Sequence, residues 1–155
     1  MNASIETLKR GIKHLPPVAR KRAERALGIA QPDNEHRVFV YGTLLTGEGN
    51  AHWARGARRT PAWTTGTIHD TGYGFPAFVK AGRTRIEGEV LTVDDDAFRS
   101  MDRLEGYPNF YRREQRQVHL VGGGSVLAWV YIMNRLPEGA KVIESGDWRK
   151  YRRGE

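Results

Sequence analysis

The N-terminal part of the chain has the apolar spacing of two short helices. In residues 3–15 apolar side chains recur every three or four positions, the spacing of one helix face: Ile5, Leu8, Ile12 and Leu15. Pro16 and Pro17 end this stripe, because the residue before a proline is disfavoured in the helical conformation. A second helix is predicted over Val18–Leu27. Residues 31–34, Gln-Pro-Asp-Asn, are typical of a linker.

After the linker, short apolar or alternating runs separated by glycine-rich turns predict strands. The predicted strands are Arg37–Tyr41, Trp63–His69, Phe75–Val79, Arg85–Val93, Phe110–Val121 and Ser125–Met133. Within the fourth strand, alternation predicts that Ile86 and Val90 face one side and that Glu89 and Leu91 face the other. Three glycines, residues 122–124, lie between the last two strands and predict a hairpin.

One helix is predicted within this β-rich region. Three aspartates at positions 94–96 favour a helix start, because carboxylates cap the first turn and oppose the helix dipole. The apolar stripe that follows consists of Ala97, Phe98, Met101 and Leu104. The pattern predicts a mixed α/β (α+β) domain over residues 35–155, preceded by a basic helical extension and linker over residues 1–34.

Composition narrows the class of protein. A chain of 155 residues, 39% hydrophobic and 28% charged, is typical of one globular domain. It has no cysteine, which excludes a disulfide scaffold and thiol catalysis. No apolar run approaches the roughly 20 residues of a membrane helix, and the charged first 30 residues lack the apolar core of a signal peptide. We therefore expect a cytoplasmic protein without a membrane partner.

The net charge of +7 is concentrated at the N-terminus, where residues 1–30 carry +5. Such a segment can contact nucleic acid or acidic lipid. It has few aromatic side chains for base stacking, which favours the solvated face of a helix packed on the domain over nucleic-acid binding. A mitochondrial presequence is a weaker alternative, because Glu6 and Glu24 interrupt the acid-poor pattern.

Several common kinds of site are not predicted. The five histidines never fall four residues apart, so no helical zinc pair is expected, and the nucleophile-elbow motif G-x-S-x-G is absent. Gly72 and Gly74 imitate part of a dinucleotide fingerprint but precede a predicted strand, so we interpret them as turn glycines. No metal or cofactor is expected.

Two segments carry candidate chemistry. Tyr41-Gly42-Thr43-Leu44 follows the first predicted strand, where successive backbone amides can hold a carboxylate or an oxyanion; the alternative is a turn whose glycine serves only geometry. Glu105 lies at the predicted helix C-terminus, where the dipole raises the pKa of a carboxyl and suits it to move protons. Its alternative is a solvated glutamate. Tyr111 is a candidate for orienting a substrate, or a core aromatic residue.

The ordered set of motifs resembles the γ-glutamylcyclotransferase-like family. The matching segments span residues 36–155 and are Y-G-T-L (Tyr41–Leu44), E-G-E-V (Glu87–Val90), M-D-R-L-E-G-Y-P (Met101–Pro108), Y-R-R (Tyr111–Arg113), V-Y-I (Val130–Ile132) and S-G-D-W (Ser145–Trp148). Met101 replaces the leucine common in the family, a swap of similar volume.

The resemblance implies a small barrel-like β-sheet with flanking helices and a cavity. It implies cleavage of a small γ-glutamyl compound by its own α-amine, which releases 5-oxoproline and a free amine or amino acid without a cofactor. By position, Glu105 matches the catalytic glutamate, Tyr41 to Leu44 match the glutamyl-binding loop, and Tyr111 and Arg113 match a Y-x-R element. The substrate-binding candidates are therefore Tyr41, Gly42, Thr43, Leu44 and Tyr111.

The leaving group, the oligomeric state and catalytic competence stay open at this point. Arg55, Arg58 and Arg59 favour an acidic leaving portion, or are surface charge. The alternative function is a non-catalytic ligand-binding or interaction protein on the same fold, with the basic extension contacting a partner or nucleic acid.

Overall fold

The computed structural model describes residues 7, 10, 11, 13–26 and 35–155. Its contacts divide the chain into two units, Met1–Asn34 and Glu35–Glu155. In the first unit, helix α1 spans Pro17–Ala26, which is the second of the two predicted helices. The predicted helix over residues 3–15 lies largely outside the described residues, and the predicted linker at residues 31–34 lies wholly outside them.

The second unit contains six strands, two α-helices and one short 3₁₀ helix. The strands are β1 His36–Val40, β2 Arg58–Asp70, β3 Pro76–Val93, β4 Tyr111–Leu120, β5 Ser125–Met133 and β6 Lys141–Val142. The helices are α2 Asp95–Leu104, α3 Trp148–Arg152 and the 3₁₀ helix Ala51–Ala54. No helix in the described part of the chain is long and apolar enough to cross a membrane.

Five of the strands form a closed barrel. β1 pairs antiparallel with β3 and parallel with β5; β5 pairs with β4, and β4 with β2, both antiparallel. A long antiparallel pairing of β2 with β3 closes the ring, and β6 adds to β2. The predicted mixed α/β fold with a barrel-like sheet is therefore confirmed.

The alternation of side chains along β1 separates two hydrophobic cores. Phe39 belongs to a cluster that draws on all five barrel strands and fills the barrel together with Trp148 of α3. Val38 and Val40 point the other way and belong to a second cluster, with Phe98 and Met101 of α2. The barrel wall at β1 is thus buried on both sides, and the loop that follows β1 is held between the two cores.

The predicted strands over residues 75–79 and 85–93 form a single strand, β3, of 18 residues. The separate prediction was wrong because β2 is long enough to pair with both parts. The register shifts between Gly66 and Thr67, which pair with Thr84 and Val79, so that β3 carries four extra residues at this irregularity.

The predicted alternation within β3 is present, but both of its faces are covered. Ile86 and Val90 belong to the core inside the barrel, whereas Leu91 and Val93 belong to the core outside it. Glu89 shares the outer face and is only 8% exposed. A carboxylate buried to this extent requires polar partners.

Candidate active site

The end of helix α2 fixes the position of Glu105. Asp94 caps the start of the helix by accepting a hydrogen bond from the Ala97 amide at 2.8 Å. At the other end, Gly106 has φ +67°, its amide donates to the Arg103 carbonyl at 3.2 Å, and the Tyr107 amide donates to the Asp102 carbonyl at 2.9 Å. This pair of bonds is a Schellman motif, which makes Glu105 the last residue before the chain turns away.

A cavity of about 340 Å³, its open mouth included, lies beside Glu105. Its walls come from the end of β1, the loop after it, the starts of β3 and β4, and β5. The lining residues are Phe39, Val40, Tyr41, Gly42, Thr43, Leu44, Phe75, Pro76, Glu105, Tyr111 and Tyr131. All six candidate site residues from the sequence are therefore in one cavity.

The Glu105 carboxyl is held without a polar partner. No hydrogen bond or ion pair reaches it from the described part of the chain. Burial raises its pKa from the ordinary value of 4.5 to about 7. A carboxyl with this pKa is present in both protonation states near neutral pH, so it can accept and return a proton.

The loop after β1 brings free backbone amides to the same cavity. The Gly42 and Thr43 carbonyls accept hydrogen bonds from the Leu45 amide at 3.1 Å and the Asn50 amide at 2.9 Å, which shape the loop. The amides of Gly42, Thr43 and Leu44 donate to no atom within the described residues. Successive unpaired amides of this kind can bind a carboxylate or an oxyanion.

Gly42 lies directly against Pro76 at the start of β3. A Cβ atom at this position would lie 2.6 Å from Cγ and 2.7 Å from Cδ of Pro76. Only glycine therefore fits between the loop and the start of β3 without displacing Pro76.

Two of the cavity tyrosines use their hydroxyl groups to hold the wall together. The Tyr41 hydroxyl donates to the Tyr131 carbonyl at 2.6 Å, and the Tyr111 hydroxyl donates to the Pro76 carbonyl at 2.9 Å. Burial, with the Glu105 charge adding to it, raises the pKa of both hydroxyls. They stay protonated, so their oxygens are free only to accept a hydrogen bond from a ligand.

A third tyrosine connects the cavity to a partly buried ion pair. The Tyr131 hydroxyl donates to Asp102 Oδ1 at 2.7 Å, and Arg113 binds both carboxylate oxygens of Asp102. The Arg113 guanidinium also lies 4.3–4.5 Å from the ring centres of Phe98, Tyr107 and Trp129. Arg113, the arginine of the Y-x-R element, therefore contacts Asp102 and these aromatic rings, and is not among the residues that line the cavity.

Sequence reasoning did not identify Tyr131 or Asp102 as part of this site. The available signal was a hydroxyl-bearing residue in an otherwise apolar strand, since a buried tyrosine needs a partner. The partner itself lies on α2, 29 residues away.

Glu89 and Arg59 connect the loop after β1 to the barrel wall. Glu89 accepts from the Thr46 amide and from the Thr46 hydroxyl, both at 2.8 Å. Arg59 donates to Glu89 at 3.1 Å, to the Leu44 carbonyl at 2.9 Å and to the Ala51 carbonyl at 3.1 Å. Arg59 is therefore not surface charge, because its guanidinium binds Glu89 of β3 and two carbonyls of the loop; it does not line the cavity. Arg55 and Arg58 are exposed.

Potential metal ligands do not cluster. In the parts of the chain that the structure describes, no group of three or more histidine, aspartate or glutamate side chains is placed to hold a metal ion.

Comparisons with known proteins match this fold and these motifs. The chain is 26% identical to an AIG2-like protein of Mus musculus of known structure, with a TM-score of 0.58 over 65% of this chain and 78% of the other. It is 32% identical to the gamma-glutamylcyclotransferase family protein YtfP of Escherichia coli, over 72% of this chain and 95% of the relative. It is also 32% identical to a gamma-L-glutamyl-butirosin B gamma-glutamyl cyclotransferase of Niallia circulans, over 74% of this chain and 76% of the relative.

The barrel and its cavity thus define an AIG2-like fold. A family profile described as gamma-glutamyl cyclotransferase, AIG2-like, matches residues 38–150, and the chain belongs to this family. It is a cyclotransferase-like enzyme, which confirms the assignment made from the motifs.

Proposed function

We propose that this enzyme cleaves a small γ-glutamyl compound into 5-oxoproline and a free amine or amino acid, with Glu105 as the group that moves the proton. One observation carries the proposal: a carboxyl without a partner, whose pKa is about 7, shares a cavity with three unpaired amides. The relative from Niallia circulans, a cyclotransferase of γ-glutamyl-butirosin B, supports the same chemistry.

The loop after β1 would hold the glutamyl portion of the substrate. The amides of Gly42, Thr43 and Leu44 are suited either to the substrate α-carboxylate or to the oxyanion that forms at the γ-carbonyl. The oxygen of Tyr111 is oriented by its bond to Pro76 and can accept from the α-ammonium. These contacts would keep the substrate curled, with its amine against its own carbonyl.

The reaction forms one carbon–nitrogen bond and breaks another. Glu105, ionised at first, takes a proton from the α-ammonium, and the freed lone pair attacks the γ-carbonyl carbon. When the tetrahedral intermediate collapses, the bond to the leaving nitrogen breaks and Glu105 returns its proton to that nitrogen. The ring nitrogen loses one further proton, which the released amine takes up as it becomes an ammonium ion. Atoms and charge balance without water as a reactant.

Ring closure within one molecule explains why so few groups are needed. Holding amine and carbonyl together removes much of the entropic barrier of a bimolecular reaction. General acid–base catalysis by Glu105 would add about 10²–10⁴-fold. This route requires no metal or coenzyme.

The test is 5-oxoproline release from a panel of γ-glutamyl amides, with Glu105→Gln as the control variant. We expect release by the wild-type protein and a loss of about 10²–10⁴-fold in the folded variant. Activity of the variant within about tenfold of wild type would remove Glu105 from its role. Ligand binding without release by the wild-type protein would support the non-catalytic alternative.

A further inference from the structure

An exposed row of aromatic rings extends from the cavity to the protein surface. Phe75 and Tyr111 line the cavity, and their ring centres are 6.4 Å apart. Phe110 lies 6.0 Å from Phe75 and 5.3 Å from Tyr111, and Tyr73 lies 6.4 Å from Phe75. We call Tyr73, Phe75 and Phe110 the aromatic shelf. Tyr73 is 72% exposed and Phe110 is 51% exposed, so its outer part is available to a ligand.

The shelf adjoins the loop that carries Glu105. Gly106, the next residue, packs so closely on Phe110 that a Cβ atom there would lie 2.9 Å from the Phe110 Cβ. The Phe110 amide donates to the Gly106 carbonyl at 2.8 Å. A substrate whose γ-carbonyl lies beside Glu105 can therefore extend its leaving group along the shelf.

Both loops that present the shelf are held by hydrogen bonds. The Thr71 hydroxyl donates to the Phe75 carbonyl at 2.7 Å, and the Gly72 amide donates to Asp70 at 2.8 Å. On the other side, the Asn134 side-chain amide donates to the carbonyls of Pro108 and Asn109 at 2.7 and 3.1 Å. The backbone that carries the rings is therefore held in place by bonds within the protein, which lowers the entropic cost of binding.

In the part of the chain that the structure describes, the residues that line the cavity offer no cation to a ligand. Among the described residues that line the cavity there is no lysine, arginine or histidine. Two arginines of the surrounding wall are bonded elsewhere: Arg59 binds Glu89 and the Leu44 carbonyl, and Arg113 binds Asp102. A carboxylate on the leaving group would thus lose hydration beside apolar rings without gaining a cation.

From these observations we infer that the aromatic shelf is the leaving-group subsite, and that it selects leaving amines whose substituent is aromatic or apolar and carries no charge over amino acids. The inference rests on the proposed function and adds the substrate class. Ring-on-ring packing and removal of apolar surface from water supply the preference.

The test uses three substrates that share the γ-glutamyl group: the phenethylamide, the ethylamide and γ-glutamyl-phenylalanine, which adds only a carboxylate to the phenethylamide. We expect kcat/KM for the phenethylamide to exceed the other two by about tenfold. Phe110→Ala and the more exposed Tyr73→Ala should each reduce the ratio of kcat/KM for the phenethylamide to kcat/KM for the ethylamide, Phe110→Ala to near one. Leu127→Ala, an exposed apolar residue on β5 outside the shelf, is the matched control.

The outcomes separate this inference from the proposed function. Release of 5-oxoproline from all three substrates at similar kcat/KM, or faster from γ-glutamyl-phenylalanine, overturns the subsite and leaves the cyclotransferase activity standing. The subsite is also overturned, without loss of the proposed activity, if both shelf variants lower all three rates equally. No release from any substrate overturns both proposals.

Discussion

Arg113 binds Asp102 through two hydrogen bonds, from Nε to Oδ1 at 2.9 Å and from a terminal nitrogen to Oδ2 at 3.2 Å. Because Tyr131 donates to the same Oδ1, the pair joins β4, β5 and α2 at one carboxylate. Asp102 also lies one turn before Glu105 on the helix. The ion pair is thus placed to position the Glu105 carboxyl against the cavity wall.

Replacing Arg113 with lysine tests this positioning role. Lysine keeps the charge but cannot make two parallel bonds or stack as a planar group. We expect kcat to fall about tenfold to a hundredfold with a smaller change in KM, because small displacements of a proton-transfer group are costly. Steady-state kinetics on a γ-glutamyl amide give both constants.

Arg99→Lys, at an exposed arginine on α2, the helix that carries Asp102, is the control for the Arg113→Lys experiment. Tyr131→Phe removes only the hydroxyl and should lower kcat in the same direction. If Arg113→Lys changes KM alone, the ion pair serves binding instead of positioning.

Activity should follow the ionisation of Glu105. The carboxyl must be deprotonated to accept the first proton, and burial raises its pKa to about 7. We therefore expect kcat/KM to rise with pH through a midpoint near 7, well above the ordinary range of a glutamate. A pH–rate profile measures this, and a midpoint near 4.5 would show that Glu105 is not the titrating base.

Stability should show the opposite dependence. The pKa of Glu105 is raised in the folded state, so the buried carboxyl favours folding only while it is protonated. Its contribution to the unfolding free energy is fully present below about pH 4.5 and is lost as the pH rises through about 7. Glu105→Gln should thus gain up to about 3 kcal/mol in unfolding free energy relative to wild type between acidic and alkaline pH. Denaturant titrations at about pH 5 and pH 8 compare the two; an equal pH dependence would contradict the burial of this charge.

The adjacent arginines 58 and 59 form a matched pair for testing the loop after β1. The Arg59 side chain is 20% exposed and bonded to Glu89, whereas the Arg58 side chain is 72% exposed. Arg59→Ala leaves Glu89 buried without its cation, so we expect a loss of about 3 kcal/mol in stability and a raised KM. Arg58→Ala should change stability by less than about 0.5 kcal/mol. Thermal unfolding and kinetics of both variants distinguish the two positions. Equal losses of stability and equal changes in KM would show that the bonds from Arg59 to Glu89 and to the loop carbonyls do not stabilise the loop.

Two glycines of this loop offer a steric comparison. Gly42→Ala places a methyl group within 2.7 Å of Pro76, whose carbonyl holds Tyr111, whereas Gly49→Ala meets nothing within 4 Å. We expect Gly42→Ala to cost about 1–3 kcal/mol and to lower kcat/KM at least tenfold, because the cavity wall must move. Gly49→Ala should retain wild-type activity in the same assay. A fully active Gly42→Ala protein would show that the close approach is not needed.

Local signals predicted most of the fold and the centre of the site. The three aspartates and Gly106 mark the two ends of α2, and the glycines at 122–124 mark the hairpin between β4 and β5, because caps and turns depend on neighbouring residues. The position of Glu105 at a helix end followed from the same signals. These features needed no knowledge of the tertiary structure.

The supporting contacts could not be predicted, because their partners lie far apart in sequence. Arg59 appeared together with Arg55 and Arg58 as a run of cations, and only the fold shows that it meets Glu89, 30 residues away. Likewise, the extent of β3 depended on its pairing with β2. Residue spacing carries little information on such pairs in a single sequence.

Because both ends of α2 are fixed, the number of residues between Asp94 and Gly106 cannot change freely. Asp94 caps the first turn and Gly106 closes the last, while each residue of an α-helix advances the side-chain direction by about 100°. A one-residue insertion or deletion between them would rotate Glu105 away from the cavity even if both ends formed again. Insertions and deletions that preserve activity should therefore lie elsewhere, such as in the segment between β5 and β6.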